Sequence, residues 1–227
     1  MAQHTRFPSV AALAACSSIA LLSLSATGLG DVWEQIGPTH EVSMAVPDGA
    51  HLRLDLPVGQ VDVVGTDGDE LRARMQIECK ANKRRCAKRA ERATLSTISN
   101  GNTLTLLASP EGMNAYKGAQ VRITVEVPRS ETLEVEFGAG ELDVRDVDAC
   151  VSLRMFAGEA DLHLAGERID DISLKTGMGE SALYVNSNAV NGKRPLLVGS
   201  KVVHALGNGD CSLAARLRFG ELTAHLH

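Results

Sequence analysis

Aromatic residues make up only 3% of the 227-residue sequence: one Trp, two Tyr and four Phe. A core built on large rings is therefore excluded, and burial must come from the aliphatic types that dominate the 44% of hydrophobic residues. Positive charge is also in deficit, with 23 Lys and Arg against 28 Asp and Glu and a formal net charge of -5, which gives no reason to expect a nucleic-acid binder overall. No Gly-x-Ser-x-Gly elbow, phosphate loop, His-Glu-x-x-His or Cys-x-x-Cys occurs, so the common hydrolytic, nucleotide-binding and redox signatures are missing. Collagen periodicity, coiled-coil heptads and the bias of disordered chains are absent too. The reading is a non-enzyme without cofactor, of a length that fits one domain plus a small extra segment.

What is present begins with an uncharged stretch from Phe7 to Gly30, whose middle, Val10 to Leu24, is rich in Ala, Leu, Ile and Ser. This predicts a signal peptide over residues 1–28, cleaved after the small residues Ala26-Thr27-Gly28, with Gly30 as the alternative, and a linker over 29–39. The run is too weakly apolar for a membrane span. Leu13-Ala14-Ala15-Cys16 also matches a lipoprotein box, which makes a protein anchored through Cys16 the alternative; the apolar run continuing to Leu24 favours cleavage. The protein is accordingly expected to be exported, to the periplasm or to the cell surface or medium. Cys79, Cys86, Cys150 and Cys211 then remain in an oxidising compartment, with Cys79 and Cys86, seven residues apart, as the expected disulfide.

A repeat sets the architecture. Two alternating apolar positions, a gap to a Gly and two further apolar positions recur as Leu133-x-Val135 to Gly140-Glu141-Leu142-x-Val144, Val151-x-Leu153 to Gly158-Glu159-Ala160-x-Leu162, Ile172-x-Leu174 to Gly179-Glu180-Ser181-x-Leu183, and Val202-x-His204 to Gly209-Asp210-Cys211-x-Leu213. Gly59 and Gly220 carry outlying copies. Alternation with period two on both sides of a Gly predicts short half-buried strands joined at a corner. One such unit cannot bury its apolar face alone, so neighbours must stack. The expected fold is all-β: a β-solenoid or rolled β-repeat of short strands with Gly corners over 130–227, preceded by a β part over 40–129 with one short basic helical insert (80–95), and continuous over 40–227. Strands are predicted at 40–46, 52–64, 71–78, 103–108 and 121–127, a helix over 82–95, and an exposed loop over Asn186 to Pro195.

These Gly-Glu-Leu-x-Val units, behind a signal peptide and at low aromatic content, resemble the bacterial β-strand-repeat adhesin-like proteins, to which autotransporter-adhesin-like head domains are related. The resemblance covers roughly residues 40–227. It implies a secreted or envelope-attached all-β repeat protein and brings no catalytic residues with it. The basic insert and the Asn-rich loop lie outside the repeat.

Two constellations stand out. Lys80, Lys83, Arg84, Arg85, Lys88, Arg89 and Arg92 put seven cations into thirteen residues of an acidic protein. Their expected partners are anionic envelope lipid, lipopolysaccharide or an acidic polymer, with a protein partner as the alternative. The bland reading is a solvated helix face paired with the protein's own acids. The second is an acidic column: sequential stacking would align Glu141, Glu159, Glu180 and Asp210, with Asp143 and Asp161 on the same face, as a solvated acidic face or a weak cation site. The histidines are read as surface or partly buried structural residues with no metal site, since only His225 and His227 are evident neighbours. Cys150 and Cys211, two units apart in that alignment, are too distant for a disulfide, which leaves Cys211 as a small core residue. The functional expectation is an adhesin-like surface or envelope interaction module, monomeric or weakly oligomeric. Its alternatives are a periplasmic structural or stress-accessory protein and, at the margin, a polysaccharide-active β-helix enzyme.

Overall fold

The computed structural model describes residues 32–196, 198–207 and 209–227. The expected signal peptide, its cleavage site and Cys16 lie outside the described residues. Alternating burial produces strands β1 (Trp33–Gln35), β2 (His40–Ala45), β3 (His51–Thr66) and β4 (Glu70–Lys80), then helix α1 (Arg84–Ala90), β5 (Thr94–Asn100), β6 (Thr103–Ser109) and β7 (Ala119–Pro128). They are followed by β8 (Thr132–Val147), β9 (Val151–Leu164), β10 (Ile169–Val185), β11 (Asn188–Val190), β12 (Lys193–Leu196), β13 (Gly199–Ala205) and β14 (Cys211–Leu226). All belong to one open sheet with the main order β1-β4-β7-β3-β8-β9-β14-β10-β13-β12, so the all-β class holds.

The long strands turn back on themselves. In β8, Leu133, Val135 and Phe137 are buried before Gly140, and Leu142 and Val144 after it. The buried positions change from odd to even across the glycine, which keeps apolar side chains on one core only if the backbone bends there. The short link between β8 and β9 requires the same bend, because only residues 148–150 connect two strands paired in parallel along their length. A straight strand of this length would separate those ends by about 50 Å, whereas the link spans about 14 Å at most.

The bends coincide. Gly59, Gly140, Gly158, Gly220 and Gly179 stand side by side in β3, β8, β9, β14 and β10, with φ between 125° and 138°. A Cβ on Gly158 would lie 1.9 Å from the Gly140 carbonyl oxygen. Conformation and space both demand glycine at this point. Between the two arms, rows such as Leu54, Val135, Leu153, Ala215 and Leu174 form a continuous aliphatic core.

Strand order departs from chain order. β14, not β10, lies beside β9, and β10 takes the far side of β14. The corner of this strand is Gly220, and Gly209 lies just ahead of it, which corrects the fourth unit of the sequence alignment. The physical reason is that every unit offers the same inward pattern, so the core is filled equally well in either order. The insertion brings Cys150 and Cys211 to 4.7 Å between α-carbons, and they form a disulfide that spacing in the chain argued against. Cys79 and Cys86 form the expected one.

Three smaller departures follow from pairing. Residues 33–35, expected in a linker, add β1 to β4 in antiparallel register. The helix is limited to Arg84–Ala90, because Thr94–Asn100 pairs with β6 as a hairpin around Gly101. Of the Asn-rich segment, residues 186–192 are mostly exposed as expected, yet Asn188–Val190 pairs back onto β10 and Lys193–Leu196 pairs with β13.

Candidate functional site

The basic insert is held by its own disulfide. Cys86 and Ala90 are the buried residues of α1, and the Cys79–Cys86 bond fixes the helix to the end of β4. The opposite face then points its cations outward: Lys83, Arg84, Arg85 and Lys88 are exposed, as is Arg92 beyond the helix. Lys80, Lys83, Arg84, Arg85 and Arg89 line a pocket of about 530 Å³ together with Trp33 and Lys117; Lys88 and Arg92 lie outside it. Lys80 approaches the Trp33 ring at 5.5 Å from its centroid, and Arg89 donates a hydrogen bond to the Lys117 carbonyl. The Arg89 Nε is shielded from solvent without a hydrogen-bond partner among the described residues.

Among the described residues, Lys83, Arg84, Arg85, Lys88 and Arg92 form no ion pair with a carboxylate. Among the described residues these cations therefore form an exposed helix face, as in the bland reading, without the expected pairing to the acidic column. Trp33 and Lys117 were not visible as members of this cluster in the sequence, because each reaches it through pairing and turns remote from the insert.

The two arms carry different outer faces. One residue past each corner stand Gln60, Glu141, Glu159, Glu221 and Glu180, in that order across the sheet. Asp210 leaves the column: it precedes β14 and takes a two-pronged interaction from Arg168, with 3.2 Å from Nε to Oδ1 and 3.1 Å from the second nitrogen to Oδ2. That hydrogen bond and the Arg168 charge hold the Asp210 carboxyl below its ordinary value. Two residues further along, Asp62, Asp143 and Asp161 form a second row, and Arg145 lies 3.2 Å from Asp143 and 3.6 Å from Asp62. A third row runs Arg145, His163, His225 and Tyr184.

That third row assembles what the sequence kept apart. The insertion of β14 beside β9 stacks the His163 and His225 rings at 4.6 Å, and Tyr184 stacks on the other side of His225 at 4.9 Å. Asp161 lies 3.3 Å from His163 Nε2 and 3.6 Å from His225 Nε2. The shared repeat position five residues past Gly158 and Gly220 was the available signal, and it became a contact only through the strand order.

On the other arm, Arg154, Arg216, Lys175 and Lys201 occupy one register position on four adjacent strands, all exposed. Arg154 pairs with Glu136 at 3.1 Å, while the other three form no ion pair among the described residues. A groove of about 790 Å³ borders this row, with Asp55, Glu136, Met113 and Phe156 among its walls. Burial, and then the neighbouring Glu136 carboxylate, push the Asp55 carboxyl above its ordinary value.

No family model matches the chain, and no curated protein matches it. Among solved structures, a candidate cell adhesion protein from Clostridium sporogenes is 13% identical, with 84% of this chain and 100% of that one covered, at a TM-score of 0.48. A candidate lipid-binding protein from Parabacteroides distasonis is 10% identical over 66% of this chain and 63% of its own, at a TM-score of 0.28. A candidate adhesin from Bacteroides fragilis is 14% identical over 84% and 97%, at a TM-score of 0.20.

Proposed function

We propose that this chain is a non-enzymatic, exported envelope module that acts by surface contact, in the manner of an adhesin, and that its basic insert contacts an anionic surface. The observation that carries the reading is that Lys83, Arg84 and Arg85, which form no ion pair among the described residues, line one pocket with Trp33. Like charges held together on a disulfide-pinned helix repel one another, and an anionic partner relieves that repulsion. Phosphate-bearing lipid or lipopolysaccharide supplies such a partner, and Trp33 offers an apolar face beside the charges. The unpaired cations of the row Arg216, Lys175 and Lys201 add a second surface of the same sign. Two disulfides support an extracytoplasmic location, and among the described residues no helix is long and apolar enough to cross a membrane. The in-register corners support a rolled β-repeat as the scaffold, its helix-bearing part and its bent strands forming one continuous domain over 40–227.

Co-sedimentation tests this reading. The chain should pellet with vesicles containing anionic lipid or lipopolysaccharide and stay in solution with neutral vesicles, and added salt should release it. Reversing Arg84, Arg85, Lys88 and Arg89 to Glu should abolish the binding, and unchanged binding would reject the proposal. Surface proteolysis of intact cells divides the adhesin role from a periplasmic accessory one, since only a displayed protein is cut.

A second reading, a polysaccharide-active enzyme, draws on the groove. There Asp55 is raised by burial, while Glu136 is ion-paired to Arg53 at 2.8 Å and to Arg154 at 3.1 Å, so two carboxyls share a groove in unlike environments. Release of reducing ends from envelope polysaccharides by the wild type but not by Asp55→Asn would support it, and inert wild-type protein would remove it.

A further inference from the structure

We propose that Asp161, His163 and His225 form a binding site for one divalent transition-metal ion of the Zn²⁺ type, which fastens β14 to β9. One oxygen of Asp161 and one nitrogen of each histidine lie within 4.8 Å of one another. Around a tetrahedral zinc with bonds near 2.1 Å, ligand atoms stand about 3.4 Å apart; Asp161 Oδ2 lies 3.3 Å from His163 Nε2, and its other oxygen, Oδ1, lies 3.6 Å from His225 Nε2. The Oδ1 of Asp161 is shielded from solvent and has no hydrogen-bond partner among the described residues, so its acceptor capacity is unused. The imidazole rings stack in parallel, and their side chains are 36% and 34% exposed. For both lone pairs to meet at one point the rings must turn about χ2, and His225 must leave its stack with Tyr184, whose ring lies 4.9 Å away on the other face. The His227 ring, 6.4 Å from that of His163, stands within reach as a fourth ligand.

The donor set selects the ion. Two neutral imidazoles and one carboxylate suit Zn²⁺, Ni²⁺ or Cu²⁺, whereas Ca²⁺ takes six or more oxygens. Placement gives the site a structural consequence. Asp161 and His163 belong to β9 and His225 to β14, near the ends of these paired strands, while the Cys150–Cys211 disulfide joins their beginnings. Metal at the far end closes the same strand pair a second time, and it does so for the strand inserted out of chain order.

Calorimetric titration of the untagged chain with ZnCl₂, followed by thermal unfolding, tests the proposal. The wild type should take up one equivalent and unfold at a higher temperature with Zn²⁺ present. Backbone amides of residues 221–227 should exchange more slowly in the loaded protein. His163→Ala and His225→Ala should each weaken binding by about ten-fold or more, since loss even of a supporting outer-shell group costs that much. His204→Ala, on β13, should bind as the wild type does. Asp161→Asn, close in shape to the original, should also bind more weakly and covers the case in which a histidine variant fails to fold. Absence of stoichiometric uptake by the wild type, or equal uptake by the His163→Ala, His225→Ala double variant, overturns the proposal.

Discussion

Cys150 and Cys211 are joined across 61 residues of chain, yet their α-carbons are only 4.7 Å apart, because the last strand returns to lie beside β9. The bond ties the beginning of β14 into the middle of the sheet. A loop of this length, closed by a disulfide, removes about 4 kcal/mol of conformational entropy from the unfolded chain in the chain-entropy account. The Cys150→Ser, Cys211→Ser double variant should lose stability of that order in urea unfolding. Replacing Cys79 and Cys86, which close a loop of 7 residues, should cost less. Equal losses for the two pairs would contradict this.

The glycine ladder makes a sharper prediction. At Gly220, φ is 131° and a Cβ would lie 1.8 Å from the Gly158 carbonyl oxygen. Gly220→Ala should therefore unfold the protein or cost more than about 3 kcal/mol, since strained backbone and a backbone clash act together. Gly118 also has positive φ, at 81°, but nothing lies within 4 Å of its Cβ position. There the same substitution should cost about 1 kcal/mol, as conformational strain alone. Thermal unfolding of the two variants side by side decides it.

Charge spacing on the acidic face reports the strand order. Glu159 and Glu221 are direct neighbours, whereas Glu159 and Glu180 are separated by β14. A double-mutant cycle with Gln at 159 and 221 should show a repulsive coupling of a few tenths to about 1 kcal/mol at low salt, while the 159 and 180 cycle should show less. The reverse result would place β10 next to β9.

Acid should weaken the Arg168 and Asp210 contact. The Asp210 carboxyl has a folded value below its ordinary 3.8, so the stabilisation is present above that value and lost as pH falls through the folded one. The stability difference between wild type and Asp210→Asn should thus be constant near neutrality and shrink below pH 3.8. A difference that holds unchanged in acid would show that the pair does not act through the Asp210 charge.

The site residues differ in how far the sequence revealed them. The seven cations of the insert are visible because they fall within thirteen consecutive residues, and a local segment keeps its neighbours whatever the fold. Trp33 and Lys117 join them only through sheet pairing and turns. Asp161, His163 and His225 are spread over 65 residues, counted inclusively, and the position that His163 and His225 share past a glycine gains chemical meaning only when β9 and β14 touch. Asp210 was misplaced for the same reason: Gly209-Asp210-Cys211 matches the repeat locally, while the corner belongs to Gly220.

By itself the sequence determined most of the long strands, their inward faces and the bends at Gly140, Gly158 and Gly179, because alternation and positive-φ glycine are properties of adjacent residues. The all-β class and the Cys79–Cys86 bond follow from the same local information. Only the tertiary structure decided which strands became neighbours. Each unit presents the same aliphatic rows, so hydrophobic burial is nearly indifferent to order. What distinguishes one order from another is the reach of each connection and the contacts across strands: Cys150 with Cys211, Glu159 beside Glu221, and His163 stacked on His225.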